Sequence, residues 1–243
     1  MTTEPLPLSR RLAAEFLGTA LLVAVVVGSG IMASALSADV GIQLLANSTA
    51  TVLGLAVLIV VLGPVSGAHF NPVVTGAEWV LSRGSAEQRP WGEVAGYVLA
   101  QCTGGVAGAL LAGLMFEVAP AMATTQRTGG GLLVGEVVAT AGLVLVIFAL
   151  VRSSRAALVP AAVAAWIGAA YWFTSSTSFA NPAVTVGRMF SDTFAGIAPG
   201  SVPPFLLAQV VGAVLGVVAV VVFSPAGSPR DLSAEQVLPA VVH

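Results

Sequence analysis

Six long apolar segments constrain the fold of this chain more than any other feature of its sequence. A helix that crosses a bilayer needs about 20 mostly apolar residues, because a rise of about 1.5 Å per residue must span roughly 30 Å of hydrocarbon. Segments of this length lie at 12–33, 42–63, 92–114, 132–151, 156–174 and 203–223. Only 8% of the residues are charged, against about 25% in an ordinary soluble domain. We therefore predict an all-α integral membrane protein, and exclude a disordered chain, a nucleic-acid-binding protein and a disulfide-stapled secreted domain.

Two further apolar segments, at 68–80 and 179–190, are too short to cross a membrane. Each contains an Asn-Pro step near its start, at residues 71–72 and 181–182. Proline in the first turn of a helix loses no hydrogen bond, so this step is a helix-start signal. The sequence predicts two half-helices that enter the membrane and turn back.

The arginines predict the orientation of the chain. All nine basic residues are arginine, and a cytoplasmic N-terminus puts seven of them on the cytoplasmic side, leaving only Arg127 and Arg188 outside. The positive-inside rule then predicts a multi-pass protein of the cell inner (plasma) membrane with both termini cytoplasmic. Arg10 and Arg11 before the first segment also imitate a signal peptide. We favour a retained helix, because the apolar segment is too long for a signal and five more follow.

The two halves of the chain carry the same motifs in the same order, at about 8–118 and 128–224, followed by a short cytoplasmic tail at 225–243. Each half has a Glu inside its first span, an Asn-Pro step with a preceding serine, and a Leu-Ala-Gln motif followed by two spaced glycines. Because three spans per half is an odd number, the second half must be inverted relative to the first. The glycines predict closely crossing helices.

Glu15 and Glu136 are carboxylates inside apolar spans, where charge is costly and usually functional. One role is a proton relay, and the other is to accept hydrogen bonds from the N–H groups of the re-entrant loops. Their equivalent positions in the two repeats favour loop support, because both loops need it.

Residues 66–73 (SGAHFNPV) and 179–183 (FANPA), in an inverted six-span chain, resemble the aquaporin and glycerol-facilitator family over about residues 8–224. The resemblance implies six tilted helices, two half-helices and one pore per subunit in a single channel domain, residues 1–243, of a homotetramer. It also implies passive conduction of water and small uncharged solutes across the lipid bilayer. No catalytic residue, cofactor, metal or nucleic-acid partner is expected.

The resemblance places the Asn-Pro motifs at the pore centre, with residues Asn71, Pro72, Val73, Asn181, Pro182 and Ala183. Two half-helix N-termini facing each other bring positive dipole ends to this point, which disfavours cations. The approach to the centre is expected to be lined by Gly67, Ala68 and His69. For His69 the alternative is a histidine satisfied within the protein core.

Two positions depart from the family pattern. The first motif ends in Val73 instead of alanine, from which we expect only a small local narrowing or repacking, and the second departure is larger. The residue after the second Asn-Pro-Ala is usually an arginine at the narrow outer filter, and here it is valine. Counting without gaps from the Asn-Pro motifs gives an outer filter of Thr51, Ala169, Ser178 and Val184. All four are small, and none is aromatic or charged. We expect a wide filter that admits glycerol-like and urea-like solutes and, in resemblance to a bacterial subgroup associated with arsenic resistance, neutral or methylated arsenicals.

Arg188 follows one helical turn after Val184. It lies either in the outer vestibule or at the membrane surface, reaching lipid headgroups or pairing with Asp192, and we favour the surface. Two other functions stay open, namely an ordinary water-conducting pore and an ion-coupled secondary transporter, which also has inverted repeats. A transporter would need carboxylates near the middle of the membrane.

Overall fold

The computed structural model of the chain describes residues 6–85 and 88–224, and in these ranges it contains eight α-helices and no strand. The six long helices are α1 (Leu8–Leu36), α2 (Val40–Ser66), α4 (Trp91–Met115), α5 (Gly130–Arg152), α6 (Val159–Phe173) and α8 (Val202–Phe223). With the 3₁₀ turns that precede α6 and α8, all six are long and apolar enough to cross a membrane. The predicted all-α membrane fold is confirmed, while the tail at 225–243 lies outside the described residues.

The two short helices, α3 (Pro72–Leu81) and α7 (Pro182–Gly187), begin at the Asn-Pro steps. Each asparagine caps its helix, because the Asn71 side-chain oxygen accepts from the N–H of Val73 at 3.1 Å and that of Asn181 accepts from Ala183 at 2.9 Å. The second half-helix is the shorter one, with 6 residues against 10, and it continues as a 3₁₀ turn from residue 188 to 190.

Close helix crossings join each first span to the last span of its own half. The pair α1 and α4 and the pair α5 and α8 have the most extensive contacts in the described chain. A methyl group added at Gly212 would lie 2.6 Å from the carbonyl oxygen of Val137, and one added at Gly104 would lie still closer to that of Phe16. The prediction of close crossing at these glycines is confirmed, since only hydrogen fits.

The described chain has an apolar outer surface, and its core contains buried polar side chains beside the apolar ones. Large apolar side chains are exposed along α2 and α8, such as Leu53 at 63% and Val222 at 63%. Such a surface fits lipid or another subunit. The interior holds Glu15, Glu136 and Gln101, which are 0% exposed. The polar interior lies around the two half-helices.

Candidate conduction pore

The loops that lead into the two half-helices have an unusual backbone at equivalent positions. Ala68 and Phe70 have φ of 50° and 49°, and Ser178 and Ala180 have φ of 52° and 45°. The left-handed conformation costs a residue with a side chain about 1–2 kcal/mol. Backbone of this kind cannot continue the hydrogen bonding of a helix, so its N–H groups need other acceptors.

The first loop is held by the carboxylate of Glu15. The carboxylate accepts from the backbone N–H of His69 at 3.0 Å and of Phe70 at 2.7 Å. It also accepts from the Ser66 hydroxyl at 2.6 Å and the Gln101 amide at 2.7 Å. Four donors therefore converge on one buried carboxylate, and charge-assisted bonds of this kind offset the cost of the loop backbone.

The second loop repeats this arrangement with Glu136. Its carboxylate accepts from the N–H of Phe179 and of Ala180, each at 2.9 Å, and from the Gln209 amide at 2.6 Å. A cavity of about 850 Å³ runs along the two half-helices, and neither Glu136 nor Glu15 lines it. Both carboxylates therefore contact the loops at positions that are not part of the cavity wall.

The two asparagines tie the loops to each other. The Asn71 amide donates to the carbonyl of Ala180 at 2.8 Å, and the Asn181 amide donates to the carbonyl of Phe70 at 2.7 Å. Each amide group has two N–H donors, so one donor per asparagine is left for a solute. Both asparagines line the central cavity, whereas four other residues of the motifs do not: Pro72, Val73, Pro182 and Ala183.

The cavity of about 850 Å³ runs along the half-helices, from Ser85 and Arg152 at one end to Arg188 at the other. Its wall is mostly aliphatic. Of the residues predicted from sequence, the lining includes Thr51, Gly67, Ala68, His69, Ser178 and Val184. A second cavity of about 180 Å³ adjoins Arg188 on the side of Val40 and Phe194.

The model of one protein family, "Major intrinsic protein", matches residues 3–179. The chain is also 52% identical over 208 residues to "Aquaglyceroporin AqpS" of Rhizobium meliloti, which covers 85% of this chain and 87% of the relative. The chain belongs to the major intrinsic protein family. It is a multi-pass membrane channel for small solutes and not an enzyme, as the sequence predicted.

Two other comparisons are more distant. The chain is 35% identical over 122 residues to "Aquaporin Z" of Photorhabdus laumondii, covering 50% of this chain and 49% of the relative. The solved structure of the aquaglyceroporin from Plasmodium falciparum matches with a TM-score of 0.65 and 20% identity, over 90% of this chain and 96% of that chain. At this identity the structural match shows the fold alone.

The assignment of Ala169 to the outer filter of this major intrinsic protein is wrong. Ala169 is exposed on the outside of α6 and does not line the cavity. Tyr171 lines it instead, with its hydroxyl 3.2 Å from the Thr51 hydroxyl. Counting without gaps assumes equal loop lengths before the two half-helices, and an error of two residues turns a helical side chain by about 200°. An aromatic residue hydrogen-bonded to Thr51 therefore lines the cavity, contrary to the expectation that the filter contains no aromatic side chain.

The interpretation of Arg188 as a residue of the membrane surface is also wrong. Its side chain is buried, its Nε donates to the carbonyl of Ala195, and the guanidinium carbon lies 3.4 Å from the centre of the Phe179 ring. Asp192 does not pair with it and accepts from the N–H of Thr124 at 2.8 Å. Arginine is not deprotonated in proteins, so the buried guanidinium carries a positive charge.

At the opposite mouth of the cavity, Glu78 of α3 forms an ion pair with Arg89, which precedes α4, beside the ring of His69. Arg89 donates to the carboxylate of Glu78 at 2.6 Å, and the His69 ring lies 3.4 Å from the other carboxylate oxygen. Burial by itself would raise the pKa of Glu78, but His69 and Arg89 outweigh burial and lower this pKa to about 2. In the sequence Arg89 is one of the seven arginines that indicate the orientation of the chain, and no sequence pattern links it to Glu78, from which the turn after α3 separates it.

Proposed function

We propose that the protein is a passive channel for small uncharged polar solutes, namely glycerol-like and urea-like molecules, water, and neutral or methylated arsenicals. The observation that carries this proposal is the cavity of about 850 Å³, whose aliphatic wall is interrupted by Asn71 and Asn181. Support also comes from the 52% identity to a protein named an aquaglyceroporin.

The wall of the cavity determines which solutes can pass. An ion leaves its hydration shell in an aliphatic cavity and finds few groups to replace it, while a neutral hydroxylated solute loses far less. One amide donor on each asparagine offers a hydrogen bond at the middle of the path. The positive ends of α3 and α7 lie at the same place and disfavour cations. These features favour neutral polyols over ions.

The outer filter in this proposal consists of Thr51, Tyr171, Ser178 and Val184, which line the cavity together. Glu15 and Glu136 support the loops and carry no protons along the path. We further propose a homotetramer with one pore per subunit, in the cell inner membrane with both termini cytoplasmic. The family resemblance and the distribution of arginines support these two statements.

The chain offers a matched pair of glycines for the test. Gly63 lines the cavity and Gly76 does not, and an added side-chain carbon meets nothing within 4 Å at either position. Wild type, Gly63→Trp and Gly76→Trp are reconstituted in proteoliposomes, and swelling in glycerol and urea is followed by stopped-flow light scattering. We expect Gly63→Trp to lose most of the flux, about tenfold or more, because an indole fills the path, and Gly76→Trp to keep it.

Two outcomes would contradict the proposal. Wild-type vesicles that conduct water with negligible glycerol and urea flux would indicate an ordinary water pore. Saturable uptake of solute against its gradient would indicate a secondary transporter. Entry of arsenous acid and methylarsenite is measured in the same vesicles, and flux above that of Gly63→Trp supports the arsenical part.

A further inference from the structure

Arg188 lies at the boundary between the two cavities. Its side chain is among the residues that line the large cavity and among those that line the cavity of about 180 Å³. Of the residues that line either cavity, Arg188 alone is common to both. Arg188 is therefore the side chain that a solute would meet in moving directly from one cavity to the other.

The guanidinium of Arg188 has donors to spare. An arginine has five N–H donors, and in the described chain only the Nε of Arg188 is bonded, to the carbonyl of Ala195. The ring of Phe179 holds the flat group in place by stacking on it. The two terminal nitrogens are therefore available to the oxygen atoms of a solute, in a fixed orientation.

A second guanidinium lies on the same aromatic ring. The guanidinium carbon of Arg127 is 5.0 Å from the centre of the Phe179 ring, and its nitrogens donate to the carbonyls of Gly196 and Phe194. No carboxylate lies within 4.0 Å of either arginine among residues 6–85 and 88–224. Carbonyl groups and the Phe179 ring hold the two guanidinium groups, and neither group forms a salt bridge in this part of the chain. Glu136, whose carboxylate accepts from the N–H of Phe179, acts on both charges from beyond 4.0 Å.

We propose that Arg188 is the residue that selects against cations and binds neutral solutes at the entrance of this channel, with Arg127 strengthening its field. Arg188, one helical turn after Val184, then supplies the positive charge that the family usually has at the position of Val184. Donors fixed in a buried place attract solute oxygens, and two positive charges without a salt bridge repel cations where the two cavities share Arg188. This inference rests on the proposed function, because it takes the two cavities as the solute path.

The test measures cation and neutral fluxes separately in proteoliposomes. Methylammonium uptake reports the cation leak, and water and glycerol swelling report the open pore. We expect wild type to exclude methylammonium and Arg188→Gln to raise its uptake about tenfold or more at retained water flux, because the charge is lost. Arg188→Lys keeps the charge and should exclude methylammonium nearly as well as wild type. The exposed Arg155 supplies the control Arg155→Gln, which should not leak.

A purely structural role for Arg188 would not separate lysine from glutamine in this way. Methylammonium exclusion by Arg188→Gln equal to that of wild type would overturn the inference, and so would a leak of Arg188→Lys equal to that of Arg188→Gln. If Arg188→Gln does not fold, methylammonium uptake is measured with Arg127→Gln instead. We expect this uptake to rise roughly threefold over wild type, and uptake equal to that of wild type overturns the inference. Negligible glycerol flux through the wild-type protein contradicts the proposed solutes. The methylammonium measurement still decides whether Arg188 excludes cations.

Discussion

The two re-entrant segments are alike at the centre of the molecule and differ at the mouths. At the centre, each loop has left-handed residues at equivalent positions, a buried glutamate that accepts its N–H groups, and an asparagine bonded to the opposite loop. At one mouth the carboxylate of Glu78 is paired with Arg89 and lies 3.4 Å from the His69 ring. At the other mouth Arg127 and Arg188 have no carboxylate within 4.0 Å in the described part of the chain.

This difference indicates which parts of the repeat are constrained by folding and which by selection of solutes. The loops need the same acceptors in both halves because both bury the same unpaired backbone groups. The mouths meet different solutions and need not match. The following predictions test the likeness at the centre first and the difference at the mouths last.

The largest effect is expected at the buried glutamates. Glu15→Leu leaves four donors without their acceptor and Glu136→Leu leaves three. A buried donor without a partner costs about 1–3 kcal/mol, so each variant should lose on the order of 4 kcal/mol or more of folding free energy, with Glu15→Leu the worse.

The measurement for this pair is the thermal midpoint in nanodiscs, followed by near-ultraviolet circular dichroism. Glu15→Gln and Glu136→Gln are the matched controls, since one amide oxygen still accepts, and both should lie between the leucine variants and wild type. A leucine variant with the wild-type midpoint would show that its half does not depend on the glutamate.

An intermediate effect is expected where the helices cross. An alanine methyl at Gly216 would lie 2.7 Å from the carbonyl oxygen of Ala141, and one at Gly108 would lie closer to that of Ala20. Overpacking costs about 1–3 kcal/mol, so both variants should lower the midpoint, Gly108→Ala more. Gly92→Ala, where nothing lies within 4 Å, is the control, and an equal loss there would refute the crossing argument.

The smallest effect is expected at the mouth where the charges are paired. Because the pKa of Glu78 is lowered to about 2 from an unfolded value near 4.3, its contribution to stability is fully present above about pH 5 and is lost as the pH falls toward 2. Glu78→Gln should have a slightly lower midpoint than wild type at pH 7, and the difference between the two midpoints should shrink below about pH 5 and vanish only at or below about pH 2. The exposed Glu117 supplies the control Glu117→Gln, and curves that stay parallel over this range would contradict the pairing.

The sequence predicted the spans, the half-helices and the pore asparagines, because these depend on local patterns. Apolar length sets a spanning helix, and the Asn-Pro step starts a helix wherever it occurs. The outer mouth depends on packing between distant segments. Ala169 was chosen by counting from Asn181, and the turn between α6 and α7 shifts Tyr171 into that place. The burial of Arg188 depends on Phe179 and Ala195, and no spacing in the sequence links these residues.

The bonds between the two asparagines and the opposite loops also bear on how the chain is made. Asn71 and its acceptor are separated by 109 residues, and Asn181 and its acceptor by 111. At a synthesis rate of about 5–20 residues per second, the first loop waits roughly 5–20 s for its counterpart to leave the ribosome. During that interval the Asn71 amide and the Phe70 carbonyl lack the partners that they have in the folded chain. Water, lipid headgroups or an insertion factor must supply their hydrogen bonds until the second loop is made.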